Sequence, residues 1–411
     1  MLLHDDARAR GFEPLATTRP LGEVRAGALL IRERWQQVLG VAPVGCSTAP
    51  HLCGFAEFDA PPVLGAGVLP AGQWLVNTRA LPALGRVPAG ATRVCVAGRV
   101  AAMRVADALA LPLAPSLAAS DAAWPAGLAG ETVSLDGHWL DEVWDLIGTL
   151  APLLAADIPA VAAALAIPRW TADRNPQVVV LGAHPVYVAP SAVLEPFTVV
   201  DATAGPVLVE RDTIVQAFTR LAGPCAIGAS CVVTADRIGG SAIGPQCRVH
   251  GELSASILLG HANKAHAGFV GHSVLGRWVN LGAGTTTSNL RHSYGPVPLW
   301  TPGGRRSSGL QFLGSFLGDH VKTGIGLCLQ TGTVIGAGSS LHGAMPPSVV
   351  PPFRWGGGVP YEAHAPAAFV ATAERAMARR QVTWSAEARA WWAGMAAAWG
   401  ETGAGASWGR A

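Results

Sequence analysis

The chain has 411 residues, half of them apolar, and a formal net charge of +2 at pH 7. This length allows two ordinary domains and a tail, and the small net charge argues against nucleic acid or an anionic membrane as a partner. Because only 14% of the residues are charged, we expect neighbouring subunits to cover large surfaces. The seven cysteines form no CxxC or Cys/His cluster, which predicts reduced, mostly buried thiols in a cytoplasmic protein and assigns no metal ligands.

Two segments bear on targeting to a membrane. Charged residues from Asp5 onward argue against a secretory signal at the N-terminus. The most apolar stretch, around residues 146–167, is interrupted by Pro152, Asp157 and Pro159. We therefore predict no membrane span and no membrane partner.

The first 140 residues have the pattern of an α/β domain. Residues 27–40 place apolar side chains near one helix face with charges opposite. Residues 73–82 and 92–100 are short, rich in Val, Leu and Cys, and bounded by turn residues, as is typical of strands. Strands that alternate with helices indicate an α/β layer structure. A helical linker is predicted over 141–177, with two short helices joined at Pro152.

A different pattern begins at about residue 178. An apolar residue followed by glycine returns every five or six positions, as at Ile227-Gly228, Ile243-Gly244 and Leu281-Gly282. A six-residue period is typical of a parallel β-helix, in which the apolar residue points inward and the glycine lies at a corner where a Cβ would be crowded. We predict a β-helix over 178–358 with about eight or nine coils.

Two further segments complete the predicted organisation. Residues 291–309 are polar and rich in Gly and Pro, which predicts a loop inserted between coils. Residues 359–411 are predicted to form a helical and disordered tail, with helices within 366–381 and 385–399.

Four motifs resemble a known enzyme family. They are PLATTRPLGEVRAGALLIRERW (14–35), AGPVLVERD (204–212), NKAHAGFVGHSVLGRWVNLGAGTTTSNL (263–290) and GLQFLGSFLGDHVKTGI (309–325). An α/β domain followed by hexapeptide repeats resembles the bifunctional N-acetylglucosamine-1-phosphate uridyltransferase/glucosamine-1-phosphate acetyltransferase enzymes. The motifs themselves are similar to those of a divergent bacterial branch of sugar nucleotidyltransferases. The resemblance implies a Rossmann-like nucleotidyltransferase domain over 1–140, then a left-handed parallel β-helix with an acyltransferase-like role that forms a homotrimer.

The resemblance also implies an acetyltransferase site on the β-helix. His266 would take a proton from the 2-amino group of the sugar, so that the nitrogen attacks the thioester of acetyl-CoA; an imidazole suits general-base chemistry near neutral pH. Asn289 matches an asparagine that positions the substrate and the base. The other implied substrate-binding residues are Lys264, Phe269, His261, His272, Lys322 and Arg291. Surface positions for the histidines and an internal asparagine ladder are the structural alternatives.

The implied nucleotide site departs from the family pattern. Related enzymes have a Gly-rich LxxGxGTRM loop whose N–H groups hold phosphates, whereas this chain has LLHDDARARGFEPLATTRP at 2–20. Arg19 and Arg25 would then bind the phosphates as guanidinium forks. Asn77 stands where related enzymes have an aspartate that helps bind Mg²⁺. An amide oxygen is a weaker ligand for that ion, so Mg²⁺ binding is left open.

Three functions remain open at this level. The first is a sugar-1-phosphate nucleotidyltransferase with an acetyltransferase domain, making a UDP-N-acetylaminosugar from an aminosugar 1-phosphate, acetyl-CoA and an NTP (UTP or dTTP). The second is a single-activity nucleotidyltransferase whose β-helix serves assembly. The third is a non-catalytic sugar-nucleotide-binding protein. The intact NKAHAGF and GAGTTTSN motifs favour the first, and the missing glycine loop keeps the third open.

Overall fold

The computed structural model describes residues 1–401 and Trp408. The chain divides into two compact units, Met1–Leu146 and Ile147–Ala411. Among the described residues, no helix has both the length and the apolarity needed to cross a bilayer. The seven cysteines are free thiols, and four of them are buried.

The first unit contains one complete α-helix and twelve strands. The helix α1 spans Ile31–Leu39. The strands are β1 (Leu2–His4), β2 (Arg25–Ala26), β3 (Leu29–Leu30), β4 (Gly45–Ser47), β5 (Gly67–Leu69), β6 (Trp74–Asn77), β7 (Ala80–Pro82), β8 (Ala91–Val96), β9 (Arg99–Arg104), β10 (Leu109–Leu111), β11 (Glu131–Leu135) and β12 (Gly137–Trp139). A six-stranded mixed sheet in the order β11-β8-β9-β6-β1-β4 forms its centre.

Helix α1 confirms the helical pattern over 27–40 but begins later than the pattern does. A short hairpin of β2 and β3 precedes it, with Arg25 paired to Leu30. The Glu33 carboxylate accepts the Leu30 N–H at 2.8 Å, which supports the first turn. The helix ends at Gly40, whose φ of 67° is left-handed.

The described residues of the second unit contain four α-helices and twenty-six strands. The helices are α2 (Asp145–Gly148, which includes the unit boundary), α3 (Leu150–Ala164), α4 (Pro366–Ala378) and α5 (Ala386–Glu401). The strands are β13 (Val179–Leu181), β14 (Val186–Val188), β15 (Val193–Leu194), β16 (Val199–Asp201), β17 (Val207–Val209), β18 (Ile214–Val215), β19 (Arg220–Ala222), β20 (Cys225–Ile227), β21 (Val232–Gly239), β22 (Ala242–Ile243), β23 (Arg248–Ser254), β24 (Ile257–Leu258), β25 (Asn263–Lys264), β26 (Phe269–Gly271), β27 (Val274–Leu275), β28 (Thr286–Thr287), β29 (Pro298–Thr301), β30 (Gly304–Ser307), β31 (Phe316–Leu317), β32 (Lys322–Thr323), β33 (Cys328–Leu329), β34 (Val334–Ile335), β35 (Ser340–Leu341), β36 (Val349–Val350), β37 (Arg354–Gly356) and β38 (Glu362–Ala363). The two helices predicted within the linker 141–177 meet at Thr149 instead of Pro152. Pro152 lies in the first turn of α3, where a backbone N–H would have no intrahelical partner, so proline is tolerated there.

The strands stack into a three-sided parallel β-helix, which confirms the prediction from the hexads. One face is a nine-stranded parallel sheet in the order β14-β17-β20-β22-β24-β27-β31-β34-β36. A single coil carries one short strand per face, as in β17, β18 and β19, whose central or second residues Leu208, Val215 and Leu221 are fully buried. Stacked apolar residues from successive coils therefore form the core.

Glycines follow the inward residues because the next coil passes too close for a side chain. A Cβ on Gly244 would lie 2.2 Å from the carbonyl oxygen of Leu259, and one on Gly336 would lie 2.3 Å from the nitrogen of Pro352. Neither glycine has a left-handed φ. The constraint is therefore coil-to-coil distance and not backbone conformation.

We expect Gly244→Ala to destabilise the β-helix by about 1–3 kcal/mol, because the backbone oxygen that the new methyl would meet cannot move aside without separating two coils. Gly394 is the matched control, since it is exposed in α5 with no atom within 4 Å of a Cβ. Alanine there should be neutral or stabilising by up to about 1 kcal/mol. Thermal unfolding followed by circular dichroism compares the two. Equal midpoints for both variants would contradict the crowding argument.

The inserted segment interrupts the stack between β28 and β31. Within the predicted loop 291–309, β29 and β30 form an antiparallel hairpin in which Leu299 pairs with Arg306. The indole of Trp300 on this hairpin stacks on Trp408, with ring centroids 4.1 Å apart. The insertion is thus an ordered hairpin.

The two C-terminal helices pack on the β-helix through aromatic side chains. Phe369 of α4 and Trp392 of α5 lie edge-on to Phe353 at 5.1 Å and 6.5 Å between ring centroids. His320, at a corner of the β-helix, contacts the same cluster, 4.9 Å from Trp392. This packing places α4 against the face that carries β25 and β32.

Candidate active sites

The carboxyl ends of three parallel strands meet at one edge of the first unit's sheet. His4 at the end of β1 is in register with Ser47 of β4 and Asn77 of β6. Residues 5–6 and 78–79 follow β1 and β6 and therefore lie at the same edge. In α/β sheets, ligands bind in the crevice outside such strand ends. We call this the strand-end site.

A buried ion pair dominates the strand-end site. The Arg79 guanidinium donates to both carboxylate oxygens of Asp6, with the closest pair of atoms, Nη2 and Oδ2, 2.7 Å apart. Asp6 also accepts the Ala9 N–H at 3.0 Å and the Asn77 Nδ2–H at 2.9 Å. Burial alone would raise the pKa of Asp6, but these donors outweigh it and hold the pKa below its usual value. Asp6 is therefore an ionised anchor for the loop after β1.

Asp5, beside Asp6, behaves in the opposite way. It accepts the hydroxyls of Thr48 and Thr78 at 2.6 Å and the Leu21 N–H at 3.1 Å, and its burial raises its pKa. It thus ties the ends of β1, β4 and β6 to the loop. The predicted site residues did not include Asp5 or Asp6, although two acids directly after an apolar strand are a recognisable signal.

The two arginines predicted to bind nucleotide are buried. The Arg19 side chain is 1% exposed, and its Nη1 lies 2.9 Å from Oε2 of Glu57 and 3.4 Å from the carbonyl oxygen of Glu23. Arg25 is also buried and donates to the carbonyl oxygen of Ala28. Their role in nucleotide binding stays a prediction, and these contacts favour a structural role.

Asn77 is fully buried, and both ends of its amide are used. Its Nδ2 donates to Asp6 and to the carbonyl oxygen of Ala118 at 3.0 Å, while its Oδ1 accepts the Arg79 N–H at 2.9 Å. Among the described residues, no three His, Cys, Asp or Glu side chains are grouped so that they could hold a metal ion. The Asn77 oxygen and the Asp6 carboxylate already accept hydrogen bonds from protein groups, and Mg²⁺ binding stays a prediction.

On the β-helix, His266 lies in the exposed bend before β26. It lines a cavity of about 580 Å³. The other lining residues are Arg248, Asn263, Ala265, Asn280, Leu281, Gly282, Ala283, Ile325, Arg379 and Arg380. We call this the His266 cavity. It combines an accessible imidazole with three guanidinium groups.

Lys264 supports the bend that carries His266. Its ammonium group donates to the carbonyl oxygens of His250 at 2.5 Å and His266 at 2.8 Å. Burial lowers its pKa to about 8. The side chain therefore points into the wall of the β-helix, and its predicted contact with a sugar phosphate stays a prediction.

Asn289 pairs with a histidine other than His266. Its Nδ2 lies 2.8 Å from Nδ1 of His272, whose ring stacks on Phe312 with centroids 5.3 Å apart. Burial lowers the pKa of His272. When the amide donates to Nδ1, the neutral imidazole carries its own proton on Nε2, and that nitrogen cannot act as a base.

His266 and Asn289 lie at opposite ends of one face of the β-helix. His266 precedes β26, whereas Asn289 follows β28. These two strands lie on neighbouring coils, where the Gly271 N–H donates to the Thr287 hydroxyl. Phe269 lies beside Asn289, because a Cβ built on Gly271 would be 2.4 Å from the Phe269 ring and 2.6 Å from Asn289 Nδ2. One chain thus brings Phe269, His272 and Asn289 together. It does not place Asn289 beside His266.

The remaining predicted residues fall in two other places. His261 and Lys322 line a second cavity, of about 280 Å³, which α4 helps to enclose. Arg291 belongs to the insertion, where its Nη1 donates to the carbonyl oxygen of Pro296 at 3.0 Å. The arginines near the end of α4 were missed by the sequence prediction, although RAMARR (375–380) is a visible basic cluster.

Comparison with known proteins supports the nucleotidyltransferase part of the fold. A model of the sugar nucleotidyl transferase family matches residues 1–164. The N-terminal unit has a nucleotidyltransferase-like fold. This confirms the predicted fold class, in which such a domain is followed by a parallel β-helix and short C-terminal helices.

Curated relatives cover a shorter part of the chain. It is 38% identical over 91 residues to the bifunctional sugar-1-phosphate nucleotidylyltransferase/acetyltransferase of Sulfurisphaera tokodaii, which is 22% of this chain and 23% of the relative. It is 38% identical over 88 residues to the bifunctional protein GlmU of Methanococcus vannielii, 21% of either chain. The chain thus aligns with less than a quarter of these relatives' length. Both are archaeal, and the bacterial branch stays a prediction.

The solved structure of a UDP-N-acetylglucosamine acyltransferase from Campylobacter jejuni is a distant match. It is 14% identical and covers 46% of this chain and 73% of its own, with a TM-score of 0.22. The two structures therefore share little beyond local geometry.

Proposed function

We propose that the chain is a bifunctional transferase. Its β-helix would move an acetyl group from acetyl-CoA to an aminosugar 1-phosphate, and its first unit would join the product to a nucleotide from an NTP, UTP or dTTP, releasing pyrophosphate. The observation that carries the first half is His266, an accessible imidazole in a cavity with three guanidinium groups. The second half rests on the family match over residues 1–164.

His266 would serve as the general base of the acetyl transfer. As the sugar nitrogen bonds to the thioester carbon, its proton passes to the imidazole, and the carbon–sulfur bond to CoA then breaks. The protonated imidazole can return that proton to the departing thiolate. The Lys264 contact to the His266 carbonyl would hold the bend in place during this transfer.

The strand-end site would orient nucleotide and sugar phosphate with groups of this chain. The hydrogen bonds among Asp6, Asn77 and Arg79 would fix the geometry of the site. The loop over 7–20 would supply backbone N–H donors in place of the missing glycine loop. The burial of Arg19 and Arg25 is the observation that favours a non-catalytic first unit instead.

A substrate panel tests both halves. UTP, dTTP, ATP and GTP would each be combined with glucosamine 1-phosphate or N-acetylglucosamine 1-phosphate, with pyrophosphate and CoA thiol measured in parallel. We expect thiol release with the free amine and pyrophosphate release with the acetylated sugar. Release of CoA thiol without release of pyrophosphate would indicate an acetyltransferase with an inactive first unit. Release of neither would contradict the proposal.

We also propose that the chain is a cytoplasmic homotrimer assembled through its β-helix. Phe197 and Phe218 stack on each other at a corner of successive coils, 5.5 Å between centroids, and are 53% and 77% exposed. Val193 and Ile214, which pair with each other in the same two coils, are also exposed and belong to this apolar stripe. Exposed apolar surfaces of this kind mark interaction sites.

Sedimentation velocity at micromolar concentration should therefore give three times the mass of one chain, because a subunit interface would remove these apolar side chains from water. Phe218→Asp should weaken assembly, since it places a charge within the stripe. His184→Asp, at an exposed position off the stripe, is the matched control. A monomeric parent chain would contradict the assembly.

A further inference from the structure

The 280 Å³ cavity beside α4 has a strongly cationic wall. One face of α4 contributes Thr372, Arg375 and Ala376, and the C-cap residue Arg379 continues this face, because the four lie three, four and seven residues apart. The β-helix contributes polar and aromatic side chains. They are His261, Asn263, Trp278, Asn280 and Lys322. We call this the α4 cavity.

Four cations line the α4 cavity, and none of its lining residues is acidic: the cations are Lys322, Arg375, Arg379 and Arg380. Glu374 is the one carboxylate of α4, and it pairs with Arg389 of α5 at 3.1 Å. Within residues 1–400 no carboxylate forms an ion pair with these four cations. The helix dipole favours a cation near this end of α4, but like charges four residues apart repel each other. An anion in the cavity would remove that repulsion.

The β-helix holds one of these guanidinium groups in position. Arg380 Nη2 donates to Asn263 Oδ1 at 2.7 Å, and Asn263 Nδ2 donates to Asn280 Oδ1 at 3.2 Å. The Lys322 ammonium has one long contact within the described residues, 3.5 Å to the carbonyl oxygen of His320, and so retains donors for a ligand. A fixed fork beside an ammonium with spare donors suits a phosphate group.

We propose that the α4 cavity binds a phosphate group of an acetyltransferase substrate, with Arg375, Arg379 and Arg380 as guanidinium donors and Lys322 as the ammonium. Asn263, Asn280, Arg379 and Arg380 line both this cavity and the His266 cavity. A phosphate bound here therefore holds its carrier next to His266. The choice of substrate rests on the proposed function, and the phosphate comes from either acetyl-CoA or the aminosugar 1-phosphate.

Calorimetry on the full chain tests this site with two ligand pairs. CoA is compared with pantetheine, and glucosamine 1-phosphate with glucosamine. We expect the phosphorylated member of one pair to bind at least about tenfold more tightly, and the double variant Arg375→Gln/Arg379→Gln to weaken its binding by about 10- to 100-fold. Arg389→Gln is the control, because it removes one guanidinium charge from the adjacent helix outside the cavity. Circular dichroism checks that the variants remain folded.

The affected pair identifies the source of the phosphate. Loss confined to CoA assigns the α4 cavity to CoA, and loss confined to glucosamine 1-phosphate assigns it to the sugar phosphate; both outcomes support the site. Unchanged affinities for both ligands in the double variant overturn it, even when the parent chain transfers acetyl groups. Acetyl transfer is measured separately. If the parent chain transfers no acetyl group but its preference for the phosphorylated ligand still depends on these arginines, the proposed function is overturned and the phosphate site is not.

Discussion

His266→Ala is expected to lower acetyl transfer by about 10²–10⁴-fold, the contribution typical of a general base. The affinity for acetyl-CoA should remain nearly unchanged, because the side chain would act on the amine of the sugar. His266→Gln should be similarly impaired, since an amide cannot accept the proton at neutral pH. Turnover is measured by CoA-thiol release and affinity by calorimetry.

His184 provides the matched control for this prediction. It is an exposed histidine on the β-helix that lines neither the His266 cavity nor the α4 cavity, so His184→Ala should retain full activity. His272→Ala addresses a different role: if its pairing with Asn289 only shapes the β-helix, activity should fall much less than for His266→Ala. Near-normal turnover of His266→Ala would show that the histidine is only part of the wall.

Arg79→Met is expected to destabilise the first unit by about 3–5 kcal/mol, because it leaves the Asp6 carboxylate buried without its partner. Hydrogen exchange of β1 and β6, read by mass spectrometry, reports the opening of this sheet separately from the β-helix. The exchange of these strands should accelerate by at least about 100-fold. Arg8→Met is the control: Arg8 lies 3.6 Å from Asp141 with 60% of its side chain exposed, and losing such a pair typically changes stability by less than about 1 kcal/mol.

The pH dependence of this pair has a definite sign. The pKa of Asp6 in the folded protein is held below the usual aspartate value. The ion pair therefore contributes its full stability at a pH above the ordinary aspartate pKa. It loses this contribution as the pH falls through the pKa of Asp6 in the folded protein. The difference between the parent chain and Arg79→Met should therefore shrink in acid, where a protonated Asp6 needs no cation. A difference that stays constant down to that pH would contradict the pairing.

The sequence predicted the features that depend on neighbouring residues. The corner glycines of the β-helix are required by the short distance between coils, as at Gly244. Because this constraint recurs along the repeat, it is visible in the sequence. The buried helix face of α1 is equally local. Contacts between distant segments left no such pattern: Asp6 meets Arg79 across 73 residues, and Asn263 meets Arg380 across 117.

The candidate sites divide in the same way. His266 could be selected because its motif surrounds it in the sequence. Arg19 was selected as a phosphate ligand because it lies in a family-like motif and the glycine loop is missing. Its partner Glu57 lies 38 residues further along the chain, where no local pattern indicates the pairing. Asn289 was assigned to His266 from the shared motif, but the register of the coils places it beside His272.

Mass spectrometry of a single incubation tests the central proposal most directly. The parent chain would be mixed with glucosamine 1-phosphate, acetyl-CoA and UTP, and the products followed in time beside His266→Ala. The proposal predicts N-acetylglucosamine 1-phosphate followed by its uridine diphosphate conjugate, both strongly reduced for His266→Ala, with conjugate formation restored when acetylated sugar phosphate is supplied. Absence of any acetylated sugar from the parent chain would contradict it.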